Sequence, residues 1–153
     1  GEEKKTYAQE PLFIVQNLGT CHLQFDFRLE ADGYLKSVAV PKSPSMDPNE
    51  KRLAVQVEDH PLDYATFEGV IPKGNYGAGT VEIWDNGTYT PLEKHHNLSQ
   101  AIADGLLEFK LHGKKMKGLF SLVRIHMEGK DTHWILIKKD YTYVLHTPSS
   151  NQI

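Results

Sequence analysis

The sequence predicts a mainly β protein, built as a compact antiparallel β-barrel with one or two short outer helices. Apolar and polar residues alternate along most of the chain, the alternating runs have the length of strands, and turn-forming residues separate them. A length of 153 residues with 39% hydrophobic and 24% charged residues is typical of one globular domain and argues against a disordered chain.

The strand pattern is clearest in residues 22–30. A period of two places alternate side chains on opposite faces of a strand. The apolar face holds Leu23, Phe25, Phe27 and Leu29, and the polar face holds His22, Gln24, Asp26, Arg28 and Glu30. We therefore expect the apolar face to lie on the core and the polar face to point outward or into a groove.

Other runs of strand length are rich in β-branched or aromatic residues. They are residues 34–40, 52–59, 67–71, 79–85, 88–92, 106–113, 119–126 and 133–139. Turn residues predict hairpins at Ala31–Gly33 and Asp85–Gly87. The one good helix candidate is 97–104, capped by Asn97 or Ser99 and stopped by Gly105, with a shorter helical turn expected after Pro61.

The charge and the ends of the chain suggest a domain organisation. We expect a flexible segment at residues 1–10, the barrel at 11–140 and a polar tail at 141–153. A net charge of −3 argues against a broadly basic surface, although a local basic groove remains compatible with it. The lone Cys21 excludes an internal disulfide framework and a zinc site of several thiolates. With no long apolar run and no signal-peptide pattern, we expect a cytoplasmic protein without a membrane partner.

Two places on this pattern carry residues with chemical potential. Asp26 and Arg28 share one face, which suits either a solvated amphipathic strand or a site for an oxyanion or a metal. His60 ends a strand beside Glu58 and Asp59, which suits either a surface histidine or a proton donor or phosphate ligand. The residues alone leave both pairs of alternatives open.

Other candidates are weaker. The glycine-rich residues 69–79 lack the ending of a nucleotide-binding P-loop and predict a bent loop between strands. His95 and His96 give only weak support to a metal site. Cys21 and His22 are adjacent on a strand and therefore point to opposite faces, which disfavours a cysteine–histidine nucleophile.

Four ordered motifs then suggest a family. DFRLE, VPK-x-PS, RLAV-x-VEDHPLDYA and IPKGNYGAG follow one another at close spacing within Phe13 to Asp140. In these residues the chain resembles the 3′-phosphoesterase domain of DNA ligase D. The resemblance implies a compact β-barrel, manganese as the metal, and removal of 3′ phosphates and 3′-terminal ribonucleosides during bacterial and archaeal end joining.

The resemblance also implies roles for individual residues. Asp26 matches the metal-binding aspartate, and Arg28 and His60 match the residues that contact phosphate. Catalysis is implied for Arg28, His60 and Tyr64. Residues that bind phosphate or support the site are implied at Lys42, Arg52, Gln16 and Glu58. These roles agree with the chemistry, since arginine and histidine stabilise charge on a phosphoryl group while a divalent metal polarises it.

The chain departs from the family pattern at two metal-binding histidines, which are replaced by Leu18 and Gln24. Leucine cannot bind a metal, and a glutamine oxygen is a weak substitute for imidazole. His22 shares a face with Gln24 and Asp26, but its Cα lies about 13 Å from that of Asp26 on an extended strand. We therefore expect a weak manganese site at best.

Three hypotheses follow. The first is a phosphoesterase-like protein that binds DNA or RNA-tipped DNA 3′ ends, or recruits a ligase, polymerase or Ku-like partner, with catalysis lost or weak. The second is an active phosphoesterase whose metal site is rebuilt from His22, Gln24 and Asp26. The third is a structural or dimerisation module that keeps the barrel alone.

Overall fold

The computed structural model describes residues 10–19, 23–66, 68–71, 79–92, 97–126 and 132–139. The strands within these ranges are β1 (Leu12–Gly19), β2 (Leu23–Ala31), β3 (Tyr34–Val40), β4 (Arg52–Pro61), β5 (Gly69–Ile71), β6 (Gly79–Pro91), β7 (Leu106–His112), β8 (Lys117–Arg124) and β9 (His133–Lys138). The helices are a 3-10 helix at Leu62–Thr66 and an α-helix, α1, at Leu98–Asp104.

The strands close into an antiparallel barrel. The hydrogen-bonded order is β1-β2-β3-β4-β9-β8-β7-β6, and β6 pairs back onto β1, which leaves β5 on the outer edge of β6. The mainly β barrel predicted from the sequence is therefore confirmed. Closure also pairs β1 with β6, so neither strand is left as an exposed edge of the kind that favours aggregation.

The core fills the inside of the barrel and fixes which faces of β2 point outward. Phe25, Phe27 and Leu29 are buried there, as the alternation predicts, and Phe27 stacks on Phe109 with ring centroids 6.0 Å apart. The side chains of Gln24, Asp26 and Arg28 consequently lie on the outer face of the sheet.

The turn and the helix follow the predicted signals. Asp32 and Gly33 have φ of 56° and 85°, and their two-residue turn pairs Ala31 with Tyr34. Asn97 caps α1 by accepting a hydrogen bond from the Gln100 backbone N–H at 3.1 Å. Ser99 is not the cap, and its hydroxyl instead donates to Asp32. The helical turn expected after Pro61 is the 3-10 helix.

The prediction of a hairpin at Asp85–Gly87 is wrong. β6 runs unbroken through these residues, and a bulge opposite Val15 and Gln16 shifts its register against β1. The Asp85 carboxylate is buried and accepts backbone N–H bonds from four residues at 2.7–3.1 Å, namely Asn86, Lys114, Lys115 and Met116. Asp85 therefore anchors the turn between β7 and β8 to β6 through hydrogen bonds, and it does not form a turn itself.

β1 is a strand that the alternation of apolar and polar residues did not predict. Phe13, Ile14, Val15 and Gln16 are all buried, so the strand shows no polar face in its first half. A strand covered on both sides does not alternate, which explains why period two missed it. The described residues contain no candidate for a membrane-spanning helix.

Candidate functional site

The candidate site is centred on Arg28, which is 1% exposed and has a partner for each of its three nitrogens. Nε donates to Gln16 Oε1 at 2.7 Å, and Nη1 donates to Ser37 Oγ at 2.7 Å. Nη1 also lies 2.9 Å from His60 Nδ1, and Nη2 lies 2.8 Å from Asp26 Oδ2. Four of the five guanidinium hydrogens are thereby directed at described groups, which leaves one hydrogen on Nη2.

The register of the sheet brings these partners together. Gln16 pairs with Asp26 across β1 and β2, and Ser37 pairs with Arg28 across β2 and β3. Directly paired residues point to the same side of a sheet, so all four side chains share the outer face. Gln16 also donates from Nε2 to the Tyr64 carbonyl at 3.1 Å, which ties the sheet to the 3-10 helix.

A bulge turns His60 toward this face. Ser37 pairs with Val57, but Leu35 pairs with His60, so β4 holds one residue more than β3 between these pairs. Strict alternation from Val57 would point Asp59 outward and His60 inward. The extra residue reverses that order and places the His60 ring beside Arg28.

Tyr64 packs over the two cationic or basic groups of the site. Its ring centroid lies 5.0 Å from Arg28 Cζ and 5.1 Å from the centroid of the His60 ring. The 3-10 helix directly after β4 provides this position, since it folds Tyr64 back over the strand end. Tyr64 therefore contributes an aromatic cover to the Arg28 guanidinium.

The electrostatics favour a charged Arg28 next to a neutral His60. Burial lowers the pKa of Arg28 from its ordinary value, while the Asp26 carboxylate opposes that change. Burial is also the main cause of the lowered pKa of His60, and the positive Arg28 lowers it further. The ordinary pKa of histidine is 6.5, so His60 is neutral at neutral pH.

His60 Nδ1 has two close neighbours. It lies 2.9 Å from Arg28 Nη1 and 3.0 Å from the Glu58 carbonyl oxygen. Arginine only donates, so Nδ1 accepts when it pairs with Arg28, and the proton of a neutral ring then resides on Nε2. In that tautomer Nε2–H is the donor that His60 can offer to an anion. The backbone carbonyl of the exposed Glu58 only accepts, so it hydrogen-bonds Nδ1 only in the other tautomer, in which Nδ1 carries the proton.

The residues around Asp26 do not fit a manganese ion. Asp26 Oδ1 accepts from Gln24 Nε2 at 3.0 Å, and Oδ2 accepts from Arg28 Nη2 at 2.8 Å. Leu18, which pairs with Gln24 across β1 and β2, offers no lone pair. No group of three or more His, Cys, Asp or Glu side chains among the described residues is arranged to hold a metal. His22, the proposed replacement ligand, lies outside the described residues.

The basic residues Lys42 and Arg52 lie away from the Arg28 cluster. Ala39 pairs with both Asp26 and Val55, and Arg52 is three positions from Val55, about 10 Å along β4. Lys42 follows the end of β3 at Val40. Arg52 Nε donates to the Ser43 carbonyl at 2.8 Å, so it supports the loop between β3 and β4. Lys42 is exposed within that loop.

Other sequence candidates cannot be placed. Residues 72–78 of the glycine-rich stretch, Cys21, His95 and His96 lie outside the described residues. Ser37, by contrast, belongs to the site and was missed. The two-residue turn at Asp32 and Gly33 fixes the register that sets Ser37 opposite Arg28, so the sequence did contain the signal.

Known proteins are similar to this chain over most of its length. A family model described as the DNA Ligase D 3'-phosphoesterase domain matches residues 17–124. The multifunctional non-homologous end joining protein LigD of Pseudomonas aeruginosa is 52% identical over 126 residues, which are 82% of this chain and 15% of that protein. The multifunctional non-homologous end joining DNA repair protein LigD of Mycobacterium tuberculosis is 43% identical over 128 residues, 84% of this chain and 16% of that protein. The chain thus spans about a sixth of the length of these relatives.

Proposed function

The chain belongs to the DNA ligase D 3′-phosphoesterase domain family, and from this premise we propose that it binds DNA 3′ ends in end repair. The ends are those that carry a 3′ phosphate or a 3′-terminal ribonucleotide. Hydrolysis of these ends is absent or weak. The observation that carries the proposal is the convergence of Arg28, His60 and Tyr64 on one outer face beside a carboxylate that a metal cannot readily reach.

Two donors at this face suit a phosphate. The remaining Nη2 hydrogen of Arg28 and the Nε2–H of His60 each offer one hydrogen bond to a tetrahedral oxyanion. Because Nη1 and Nε of Arg28 already serve Ser37, His60 and Gln16, the guanidinium binds the anion through one nitrogen. Asp26 balances the guanidinium charge, so these two hydrogen bonds carry the recognition of the anion.

Weak catalysis follows from the donor set. Removal of a phosphate or a ribonucleoside requires stabilisation of charge on the phosphoryl group and activation of a nucleophile. Arg28 and His60 supply the first requirement. For the second, the chain has Leu18 and Gln24 at the two positions where the family pattern has histidine, and Gln24 is bonded to Asp26.

The cellular setting is part of the same proposal. The relatives are named as multifunctional end-joining proteins, and this chain matches about a sixth of their length. We place it in the cytoplasm at broken DNA ends, where a ligase, a polymerase or a Ku-like protein completes the repair. Its contribution is recognition of the 3′ end.

Fluorescence anisotropy with matched oligonucleotides tests the proposal. A DNA that ends in a 3′ phosphate is compared with the same DNA ending in a 3′ hydroxyl, first in EDTA and then in manganese. We expect the phosphate to tighten binding about tenfold in both conditions, as one or two charge-assisted hydrogen bonds would. His60→Ala should reduce that preference, because it removes the Nε2–H donor and leaves the Arg28 donor, and His133→Ala on β9 should preserve it.

Two outcomes contradict the proposal. Equal affinity for the two ends would favour the structural or dimerisation module. Release of phosphate or ribonucleoside by the wild type in manganese, measured on the same samples, would favour an active phosphoesterase with a rebuilt metal site.

A further inference from the structure

Both oxygens of the Asp26 carboxylate are occupied by groups of the protein itself. Oδ1 accepts from the Gln24 side chain at 3.0 Å, and Oδ2 accepts from Arg28 at 2.8 Å. The aspartate is 7% exposed, so its hydrogen bonds are made mainly to these two protein groups. Water therefore cannot easily take over either contact.

The orientation of the Gln24 amide follows from elementary chemistry. An ionised carboxylate only accepts hydrogen bonds, so the amide must present its NH₂ group to Asp26 and turn its oxygen away. The glutamine thus directs hydrogen atoms at the oxygen that an ion would need. In this rotamer it blocks the metal position, and its own oxygen cannot share an ion with Oδ1.

The charge of Asp26 is also balanced without a metal. The buried Arg28 guanidinium contributes one positive charge at 2.8 Å, and Gln16 and Ser37 hold that guanidinium in place. A buried carboxylate needs a paired charge and satisfied hydrogen bonds to be stable. The pair and the glutamine together meet both needs.

We propose that Gln24 closes the metal position of this site, so that Asp26 serves as the buried counter-ion of Arg28 and the site is independent of metal. This inference concerns the protein alone and holds whether or not the chain binds nucleic acid. It also separates the effects of the two departures from the family pattern. Leu18 is merely a missing ligand, whereas Gln24 is both a missing ligand and a cap on Oδ1.

This difference between the effects of Leu18 and Gln24 can be tested with single substitutions. Gln24→His removes the cap and supplies an imidazole, which is a preferred nitrogen ligand for manganese. Leu18→His supplies an imidazole at the position paired with Gln24 but leaves the cap on Oδ1. If the glutamine closes the site, the two variants must behave differently even though each adds one histidine.

Manganese binding is measured by electron paramagnetic resonance of free Mn²⁺, with thermal melting in manganese and in EDTA as the second readout. We expect wild type, Asp26→Asn and Leu18→His to bind manganese equally weakly, within about threefold of one another. Gln24→His should bind at least about tenfold more tightly than wild type, because it adds one imidazole ligand and leaves Oδ1 without its hydrogen bond from Gln24. Melting of the wild type should be the same in both solutions.

Several results would overturn the inference. They are stoichiometric manganese binding by the wild type that Asp26→Asn removes, and a Leu18→His variant that gains as much affinity as Gln24→His. A folded Gln24→His variant with no gain over wild type would also contradict it. None of these results depends on oligonucleotide binding, so the inference and the proposed function can fail separately.

Discussion

Nη2 of Arg28 lies 2.8 Å from Oδ2 of Asp26, and the two side chains are 1% and 10% exposed. The pair is therefore a buried ion pair on the outer face of a barrel, covered by the Tyr64 ring. Breaking such a pair by removing one partner leaves an uncompensated buried charge, which costs about 3–5 kcal/mol. The stability of the barrel and the chemistry of the site consequently depend on the same contact.

Replacing Arg28 alone should destabilise the protein more than replacing both members of the pair. Arg28→Met leaves the Asp26 charge buried without its partner, so we expect the free energy of unfolding to fall by about 3–5 kcal/mol. In Arg28→Met with Asp26→Asn, that charge is gone, and the loss should be smaller than the sum of the two single losses by about 1–3 kcal/mol. Urea denaturation of the wild type and the three variants measures this coupling.

The ion pair Lys36–Asp59 is a matched control for this experiment. Its atoms are also 2.8 Å apart, but its side chains are 29% and 39% exposed. Solvent screens such a pair, so removing either member should cost less than about 1 kcal/mol. Additive losses at Arg28 and Asp26, like those expected at Lys36 and Asp59, would show that the buried contact carries no special energy.

His60 should make the protein less stable as the pH falls. Its folded pKa is lowered from 6.5 by burial and by Arg28, so the unfolded chain takes up a proton at this residue first. The free energy of unfolding must then decrease as the pH falls from 6.5 toward the folded pKa, and the contribution is fully present above 6.5. Urea denaturation of wild type and His60→Gln across this range measures the effect. The free energy of unfolding of the wild type should fall relative to that of the variant as the pH decreases.

Nuclear magnetic resonance titration of the His60 ring gives an independent check. It should yield a pKa below 6.5. Because Nδ1 accepts when it pairs with Arg28, the nitrogen shifts at neutral pH should be those of a ring protonated at Nε2. A His60 pKa at or above 6.5, or a stability difference that does not change with pH, contradicts this account of the site.

Asp85 should be a strong determinant of stability although it lies outside the site. Its two oxygens accept four backbone N–H bonds, two to each oxygen. Asp85→Asn turns an NH₂ group toward two of these buried donors, which should cost about 2–4 kcal/mol. Glu82→Gln, at an exposed position of the same strand, is the control and should change stability by less than about 0.5 kcal/mol. Equal effects of the two substitutions in chemical denaturation would argue against the clamp.

Nucleic-acid binding should be weak and should decrease steeply with salt. The net charge is −3, so only a local patch can neutralise phosphates, and the predicted members are Lys36, Lys42, Lys51, Arg52 and Lys73. Each phosphate contact contributes a slope of roughly −0.7 to −0.9 in log K against log salt concentration. Anisotropy titrations at several salt concentrations measure the slope, which Lys42→Ala should make shallower by about one contact. Affinity that does not change with salt would exclude this mode of binding.

The structure reduces the number of basic residues in this patch that are available to contact phosphate. Lys36 donates a hydrogen bond to Asp59, and Arg52 donates one to the Ser43 carbonyl. Each must give up that hydrogen bond to contact a phosphate. Lys42 and Lys51 are exposed in the loop between β3 and β4 and are the better candidates. Lys73 lies outside the described residues.

Local pattern predicted the barrel and half of the site. Alternation along β2 put Asp26 and Arg28 on one outward face, and the turn at Asp32 and Gly33 fixes which residues of β3 oppose them. These features depend only on neighbouring residues, and physical rules for strands and turns describe them well.

The remaining features depend on contacts distant in sequence. His60 reaches Arg28 because of a bulge in β4, which alternation alone would place one residue out of phase. Asp85 holds a turn about thirty residues further along the chain, so its short-range turn signal was misleading. The cap on Asp26 required the actual side-chain geometry, since the sequence showed only that Gln24 replaces a histidine.

Cleavage of a DNA that ends in a 3′ ribonucleotide, assayed in manganese, tests the central claim most directly. That claim is that Leu18 and Gln24 silence a site in which Asp26, Arg28 and His60 remain in place. The wild type should release no more product than His60→Gln, whereas Leu18→His with Gln24→His should bind manganese and cleave, and adding His60→Gln to that pair should abolish cleavage. A wild type that cleaves as well as the double variant, or a folded double variant that binds manganese and stays inert, would contradict the claim.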